Sequence, residues 1–339
     1  MVTIKDIAKE SGYAVSTVSR ALNNHPDVSP ETKAKIQAIV EAHQFVPNNN
    51  AKQLKQQVST NIAIVVKGIS NMLFATIIEQ MQTKIGAAGY TAAVHYLDED
   101  ANEVIEACKI CRERKPLGIL FLGGNAANFT SGFEQIKVPS VLVTNLASNF
   151  NFSNLSSVSV DDCKGGEIAI DCLINHGHKR IGVLGGNFEI SDASALRYKG
   201  CKNSFTAHNM SFDEQTQYQK ARFSYGSAYS NMRKLLDKMP DITAVFAMSD
   251  VMAIGAIRAI YDRGLRVPQD ISVVGFDGIE LAAYCTPKLT TVKQPFEEIA
   301  DNSVELIINC IHRKAETATN ILLDASLSSG ESVCCYIPK

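Results

Sequence analysis

From residue 61 onward, short apolar runs rich in β-branched residues alternate with longer stretches that have helical spacing. The apolar runs are predicted strands, and they lie at residues 62–66, 90–95, 118–122, 140–143, 180–184, 244–247 and 271–275. Strands that alternate with helices form parallel sheets with crossover connections. The strands fall into two successive sets that divide near residues 158–161, which indicates two similar α/β lobes. The loops at the carboxyl ends of their strands would then face a ligand-binding cleft.

Residues 1–46 show a different pattern, with three short helices and no predicted strand. Gly12 ends the first helix, and the second is expected to run from about residue 15 to residue 23. The third begins where Ser29 can cap the helix and Pro30 occupies its first position. Two short helices joined by a tight glycine turn, followed by a third helix, are typical of a helix-turn-helix domain.

The outward face of the second predicted helix carries small hydroxyl groups, an arginine and an asparagine. These residues are Ser16, Thr17, Ser19, Arg20 and Asn23. A helix that only faces solvent would usually carry Glu and Lys there. Hydroxyl and amide groups suit close contact with phosphate oxygens, and an arginine can donate two hydrogen bonds to the edge of a guanine. The helix is therefore predicted to contact DNA.

Charge and hydropathy are consistent with a DNA-binding protein but would not by themselves identify one. The whole chain has a formal net charge of −2, whereas residues 1–60 hold seven basic and five acidic side chains. A basic headpiece on an acidic body is expected of a DNA-binding protein. Polar residues occupy the amino terminus where a signal peptide would have an apolar core, and no apolar run is long enough to span a membrane. We expect a cytoplasmic protein without membrane contact.

Metal-binding and catalytic motifs have little support in the sequence. Cys108 and Cys111 form a CxxC pair within a predicted helix, but no second pair follows to complete a zinc site. The glycine pairs at 123–124 and 185–186 follow strands without forming a GxGxxG or P-loop motif, so tight turns are expected there. No Ser/His/Asp or paired-carboxylate arrangement has supporting context. We expect no metal, no cofactor and no enzymatic activity.

The headpiece closely resembles that of the lactose/galactose-repressor family of bacterial transcriptional regulators. The matching segments are Val-Thr-Ile-Lys-Asp-Ile-Ala at residues 2–8, Gly12, and Thr-Val-Ser-Arg-Ala-Leu-Asn at residues 17–23. The resemblance implies base contacts in the major groove from Val15, Ser16 and Arg20. It implies phosphate contacts from Thr17, Ser19, Asn23, Ser29 and Thr32. Tyr13-Ala14 replaces the usual Val-Ser, so the serine that caps the recognition helix is missing.

Residues 47–59 are polar and by themselves indicate a flexible linker. The resemblance implies that this segment is a hinge that folds into a short helix on DNA. Ala51 and Leu54 match the residues that enter the minor groove, where the leucine is wedged between base steps.

The remainder of the chain resembles the sugar-binding core of the same family, which is related to periplasmic binding proteins. The matching segments lie at residues 69–71, 176–182, 197–200, 249–253, 263–268, 275–278 and 289–295. The resemblance implies an all-α helix-turn-helix headpiece at 1–46, a hinge at 47–59 and a two-lobed α/β core at 60–339. Lobe 1 is expected at about 60–158 and 291–322, and lobe 2 at about 159–290 and 323–339.

Polar residues that follow strands or begin helices are candidates for the effector site, because they can converge on a ligand from the cleft wall. By this reasoning Ser249, Asp250, Arg197 and Asp277 are candidates. The resemblance implies that Arg197 and Asp277 are the principal ligand residues. It also implies ligand contacts or cleft lining from Phe74, Thr144, Phe223, Gln294 and Phe296. Gly278 and Thr144 depart from the usual family pattern, which predicts a ligand unlike that of the best-known members.

These observations predict a sequence-specific DNA-binding regulator, specifically a repressor. Two copies would pair as a homodimer on a palindromic operator, because two-fold symmetry places two headpieces on two half-sites. The chain ends without leucine heptads, so a tetramerising coiled coil is not expected. A small-molecule effector, expected to be a sugar, would change the lobe angle and with it the operator affinity. Coupling of about 1–3 kcal/mol would change that affinity roughly 5- to 150-fold.

Three alternatives stay open from the sequence. A solute-binding protein without a regulatory role fits the core but not the headpiece. An enzyme of open α/β type, such as a sugar kinase, would need a phosphate loop. A regulator that uses a nucleobase as corepressor fits both parts of the chain, and the sequence does not decide whether the effector releases or strengthens DNA binding.

Overall fold

The computed structural model of the protein describes residues 3–22, 25–43, 60–68, 72–313 and 317–337. It divides the chain into two compact units, Met1–Ser59 and Thr60–Lys339. The boundary falls between the segment predicted to be helical and the segment predicted to be α/β. Among the described residues, no helix is long and apolar enough to cross a membrane.

The first unit contains the helices α1 (Ile4–Ser11), α2 (Val15–Leu22) and α3 (Pro30–Ala42). Its small core takes one fully buried side chain from each helix, namely Ile7, Val18 and Ile36. The helix ends follow local sequence signals. Gly12 ends α1 with a left-handed backbone (φ 76°), which glycine adopts without steric cost.

The second unit is an α/β core. Its strands are β1 (Asn61–Lys67), β2 (Thr91–Leu97), β3 (Gly118–Leu122), β4 (Ser140–Val143), β5 (Leu155–Val160), β6 (Ile181–Gly185), β7 (Tyr218–Lys220), β8 (Ala244–Ala247), β9 (Ser272–Asp277), β10 (Thr290–Lys293), β11 (Asn320–Leu323) and β12 (Ser326–Ser328). Its helices are α4 (Met72–Ala87), α5 (Glu103–Arg114), α6 (Ala126–Gly132), α7 (Asp162–Asn175), α8 (Asp192–Ala207), α9 (Glu214–Gln217), α10 (Tyr225–Lys238), α11 (Asp250–Asp262), α12 (Leu281–Tyr284) and α13 (Phe296–Arg313), with a 3₁₀ turn at Phe133–Gln135.

These strands form two six-stranded sheets, one in each lobe. The first has the order β11-β5-β4-β3-β1-β2 and the second the order β12-β10-β9-β8-β6-β7. The pairs are parallel except that β12 runs antiparallel to β10. Central strands such as β3 and β8 are buried at every residue, because helices cover both faces of a parallel sheet. The predicted fold of two α/β lobes with parallel sheets is confirmed.

The chain passes between the lobes three times. It leaves the first sheet after β5, returns when α13 packs against that sheet, and crosses again between β11 and β12. The return was expected at residue 291. The structure places it later, because β10 continues the second sheet as far as Lys293 by pairing with β9.

Two glycines let α7 and α8 approach until their backbones touch. A Cβ atom at Gly166 would lie 2.2 Å from the carbonyl oxygen of Arg197. A Cβ atom at Gly200 would lie 1.9 Å from the carbonyl oxygen of Cys163. Because helix separation depends on the side chains at the contact, glycine at both positions brings α8 unusually close to α7. This contact fixes the backbone that carries Arg197.

Candidate functional site

The structure presents the predicted DNA-contacting face on α2. Ser16 and Arg20 are exposed, one helical turn apart, while Val18 on the opposite side is fully buried. Val15, Thr17 and Ser19 flank this face and are half-buried. Ala14, which precedes α2, offers no side-chain acceptor to the amides of the first turn.

The two predicted phosphate contacts near α3 lie at its amino-terminal end. Ser29 caps α3, because its Oγ accepts the backbone N–H of Thr32 at 3.2 Å. The same Ser29 hydroxyl donates to Thr32 Oγ1 at 2.9 Å. Asn23, Ala51 and Leu54 lie outside the described residues, so their predicted contacts with DNA stay predictions.

A cavity of about 750 Å³ lies between the two sheets of the core. Most residues around it lie at or after the carboxyl ends of β1, β2, β3, β4, β6, β7 and β10, and Asp277 ends the strand β9. This is the edge at which open parallel sheets bind ligands. Six of the nine predicted effector residues line it, namely Phe74, Thr144, Arg197, Phe223, Asp277 and Gln294.

Arg197 forms the buried centre of the cavity wall. Its Nε donates to Asp162 Oδ1 at 2.8 Å, and its Nη1 donates to the carbonyl oxygen of Met248 at 2.6 Å. The guanidinium carbon lies 3.6 Å from the ring centroid of Phe276, a cation–π contact. Its Nη2 lies 3.9 Å from Asp277 Oδ1. The protein thus holds the guanidinium in one orientation before a ligand arrives.

Asp277 and Gln294 carry unsatisfied acceptors. Gln294 Nε2 donates to Asp277 Oδ1 at 2.9 Å. In the described part of the chain, Asp277 Oδ2 and Gln294 Oε1 are buried without a hydrogen-bond partner. Burial raises the pKa of Asp277 to about 6, although nearby Arg197 opposes this shift. Unpaired buried acceptors are costly, and a ligand that donates hydrogen bonds to them would remove that cost.

Each lobe places one phenylalanine against a glycine that follows a strand. A Cβ atom at Gly123 would lie 3.3 Å from the ring of Phe74, and one at Gly186 would lie 2.7 Å from the ring of Phe223. Gly123 and Gly186 therefore leave room for the aromatic rings, while Gly185 belongs to β6. Both rings line the cavity and offer apolar faces to a ligand.

Three predicted effector residues do not line the cavity, so those predictions need correction. Ser249 caps α11 by accepting the N–H of Met252 at 3.2 Å. Phe296 begins α13, lies 5.5 Å from Lys293 Nζ, and lines a separate, smaller cavity of about 270 Å³. Asp250 is the third.

The buried Asp250 carboxylate ties three segments of lobe 2 together. Its Oδ2 accepts the backbone N–H groups of Gly278 and Ile279 at 2.7 and 2.8 Å. Its Oδ1 accepts the hydroxyl of Thr291 at 2.6 Å. These bonds leave Asp250 as an internal brace behind Asp277.

Lobe 1 adds a buried ion pair that the sequence did not reveal. Lys67 lines the cavity, and its Nζ lies 2.7 Å from Glu103 Oε2. Glu103 also accepts the backbone N–H of Asn125 at 2.7 Å and an amide N–H of Asn128 at 2.9 Å. The fully buried carboxylate therefore orients both the lysine and the loop before α6.

Opposite charges around the cavity are balanced in number. The cations are Lys67, Arg197, Lys220 and Arg222, and the anions are Asp98, Glu99, Asp100 and Asp277. Lys67 and Arg197 pair with Glu103 and Asp162, and Arg222 pairs with the acidic residues 98–100. Lys220 Nζ donates to Asn187 Oδ1 at 3.0 Å. A wall in which most charges are already paired favours a neutral polar ligand over an ionic one.

Comparison with known proteins supports this organisation. The family model described as "Bacterial regulatory proteins, lacI family" matches residues 3–48, and the "Periplasmic binding protein-like domain" matches residues 170–333. The HTH-type transcriptional regulator MalR of Clostridium butyricum is 39% identical over 336 residues, which cover 98% of this chain and 99% of that protein. The chain belongs to the LacI family of bacterial regulatory proteins.

Solved structures of LacI-family regulators share this fold. The structure titled "transcriptional regulator CelR-cellobiose complex" aligns with a TM-score of 0.73 at 26% identity, covering 98% of this chain and 100% of the other. The lac repressor dimer bound to operator and the anti-inducer ONPF aligns with a TM-score of 0.81 at 25% identity, covering 98% and 99%. The family resemblance in the sequence is therefore confirmed. The chain is a DNA-binding transcriptional regulator with an effector-binding core, and not an enzyme.

Proposed function

We propose that this protein is a transcriptional repressor whose operator affinity is controlled by a neutral sugar bound in the core cavity. The observation that carries the proposal is the pair of buried acceptors, Asp277 Oδ2 and Gln294 Oε1, which have no partner among the described residues. Sugar hydroxyls can donate to both. Most charges of the wall are already paired, which disfavours an ionic ligand.

The aromatic rings support the same ligand class. A sugar has apolar C–H faces as well as hydroxyl groups, and Phe74 and Phe223 can pack against such faces from opposite lobes. Arg197, with Nη2 beside Asp277, would donate to ring or hydroxyl oxygens. The cavity of about 750 Å³ has room for a disaccharide, the size of ligand in the CelR–cellobiose complex.

The headpiece would read the operator through α2. Ser16 and Arg20 would contact base edges together with Val15, while Thr17, Ser19, Ser29 and Thr32 would hold phosphates. Asn23, Ala51 and Leu54, outside the described residues, would add a phosphate contact and the minor-groove contacts of the hinge at 47–59. Two copies would form a homodimer on a palindromic operator, because two-fold symmetry would place two headpieces on two half-sites. The lac repressor structure, which is a dimer bound to operator, supports this expectation.

The ligand would act by bridging the lobes. Asp277, Arg197 and Phe223 belong to lobe 2, whereas Phe74 and Thr144 belong to lobe 1. A ligand that contacts both favours the closed arrangement of the lobes by its differential affinity. The ligand changes the operator affinity only to the extent that DNA binds the open and closed arrangements of the lobes with different affinity.

The test is a thermal-shift screen of the full chain against glucose, maltose, cellobiose, ribose and the purine base hypoxanthine. A neutral sugar should raise the melting temperature, because ligand at 100 times its Kd adds about 2.7 kcal/mol to the free energy of unfolding. Asp277→Asn should lose this response, while the control Asp241→Asn, on an exposed residue that pairs with Arg180 outside the cavity, should keep it. A response to the purine alone would contradict the sugar assignment.

DNA binding is tested separately by gel shift with a library of palindromic duplexes. We expect selection of one sequence class and a change of its affinity when the sugar is added. If the folded protein selects no duplex with or without ligand, the proposed repressor function is wrong.

A further inference from the structure

Two loops from opposite lobes meet at the cavity, and both contribute charged residues. The loop after β2 carries Asp98, Glu99 and Asp100 in lobe 1, and the loop after β7 carries Arg222 in lobe 2. Arg222 Nη2 lies 2.6 Å from Asp98 Oδ1 and 3.3 Å from Asp100 Oδ2. Arg222 Nε donates to Glu99. One guanidinium therefore joins three carboxylates across the gap between the lobes.

These four residues mark the mouth of the cavity. The side chains of Arg222 and Asp98 are 51% and 63% exposed, although both line the cavity. At the other end, the side chains of Arg197 and Asp277 are 7% and 2% exposed. The cavity thus runs from a buried polar end to a solvent-facing end that the ion pairs cross.

The loop that carries Arg222 is itself fixed. The backbone N–H of Arg222 donates to Ser227 Oγ at 2.9 Å, and Ser224 caps the start of α10. The next residue, Phe223, is the aromatic ring of lobe 2 that lines the cavity. A ligand packed on Phe223 and the ion pairs of Arg222 therefore hold the same short loop.

We propose that Arg222 determines the specificity of the effector site by limiting the length of the sugar that it accepts. Its ion pairs with residues 98–100 close the mouth around a short ligand. A longer sugar that begins at Asp277 would have to extend through the mouth and separate the guanidinium from the carboxylates. This proposal rests on the proposed sugar-binding function and adds its size limit.

The ion pairs between Arg222 and residues 98–100 are weak enough for the mouth to open when a ligand enters or leaves. Exposed ion pairs are individually weak and are screened by salt, so ligand exchange remains possible. Removing Arg222 would leave three carboxylates beside one another without their shared cation. Without the guanidinium, these ion pairs no longer join the loop after β2 to the loop after β7, so the mouth would open more readily.

The experiment compares Arg222→Ala and Arg222→Lys with the unchanged chain by isothermal titration with glucose, maltose, maltotriose, cellobiose and cellotriose. The unchanged chain should bind one disaccharide and bind its trisaccharide more weakly. Arg222→Ala should narrow the ratio of those two affinities by about tenfold, or about 1.4 kcal/mol. Arg222→Lys, which keeps one charge but not the forked geometry, should give an intermediate ratio. An unchanged ratio in Arg222→Ala would overturn the proposal.

The control variant is Arg180→Ala. Arg180 forms a surface ion pair with Asp241 at 2.6 Å, with side chains 59% and 57% exposed. It precedes β6 at the end of that strand remote from the cavity. This variant removes an equally exposed ion pair and should leave the affinity ratio unchanged; if it changes the ratio as much as Arg222→Ala does, the effect is not specific to the mouth and the proposal fails.

Hydrogen exchange of the ligand-free full chain separates this proposal from the sugar assignment. Arg222→Ala should increase the exchange rates of the amides at 98–101 several-fold and leave those at 126–128 unchanged, since Ala126 N–H keeps its 2.7 Å bond to Asp192. If none of the sugars binds the unchanged chain, the proposed sugar function fails for these ligands. If Arg222→Ala leaves hydrogen exchange at 98–101 unchanged, Arg222 does not close the mouth, whether or not a sugar binds.

Discussion

The close contact of α7 and α8 makes Gly166→Ala a decisive substitution. The new Cβ atom would lie 2.2 Å from the carbonyl oxygen of Arg197. Even weak C–H···O contacts keep about 3.3 Å between carbon and oxygen, so the helices must separate by about 1 Å. The opposing atoms are backbone and cannot rotate away, so we expect the upper end of the usual overpacking cost, about 3 kcal/mol.

Helix propensity acts in the opposite direction. Alanine is better than glycine inside a helix by about 1 kcal/mol, so the net loss in the free energy of unfolding is about 2 kcal/mol. For a domain of this size that corresponds to a melting temperature lower by about 4 °C. The separation would also displace the backbone of Arg197, so the effector should bind more weakly while DNA binding is retained.

Thermal unfolding of Gly166→Ala and Gly86→Ala provides the assay and its control. Gly86 lies in α4, and a Cβ atom there would have no neighbour within 4 Å. Gly86→Ala should therefore leave the melting temperature unchanged or raise it slightly. If Gly166→Ala proves as stable as the unchanged chain or more so, the helix contact does not constrain Arg197 as argued.

Three further predictions concern charged groups. Arg20→Ala should lower affinity for the selected operator by about 1–3 kcal/mol and relax base preference at one position in each half-site, as read by gel shift across the library; unchanged selectivity would contradict its role. The pKa of Asp277 is raised to about 6, so the contribution of this carboxyl group to the free energy of unfolding is present below about pH 4 and lost as the pH rises through 6. The melting temperature of the unchanged chain should therefore fall relative to that of Asp277→Asn between about pH 4 and about pH 6. If the two melting temperatures change with pH in the same way, the raised pKa is contradicted. Lys67→Met should lower the free energy of unfolding by about 3–5 kcal/mol in urea, because it leaves Glu103 buried without its cation, and adding Glu103→Gln should restore part of the loss; a single variant as stable as the double variant would count against this account.

The strands that we predicted from the sequence are those made of continuous apolar residues. β5 was missed because its sequence, Leu-Ser-Ser-Val-Ser-Val, resembles a polar loop. Its serines are nevertheless buried, and Ser157 donates to Asn320 Oδ1 of the neighbouring strand β11 at 2.6 Å. Buried hydroxyls satisfied across a sheet leave no hydrophobic signal.

The effector site, too, could be predicted from the sequence only in part. Arg197 lies within α8, about one turn beyond the start of that helix, whereas Asp277 ends β9, where polar groups converge. Asp250 stands in the same kind of position, but its carboxylate is used on Gly278, Ile279 and Thr291 within the protein. Sequence position alone does not separate a ligand contact from an internal brace. The cluster at Arg222 was missed because it joins loops more than a hundred residues apart.

The three passages of the chain between the lobes have a consequence for biosynthesis. β11 and α13, which complete the first sheet and cover it, come from residues 296–323, after most of the second sheet. β12, which completes the second sheet, is synthesised after β11. During translation neither sheet can be completed until residues 320–328 have been synthesised, although the helical headpiece has emerged long before. An interrupted chain would therefore carry the three headpiece helices without the completed cavity that we propose controls them.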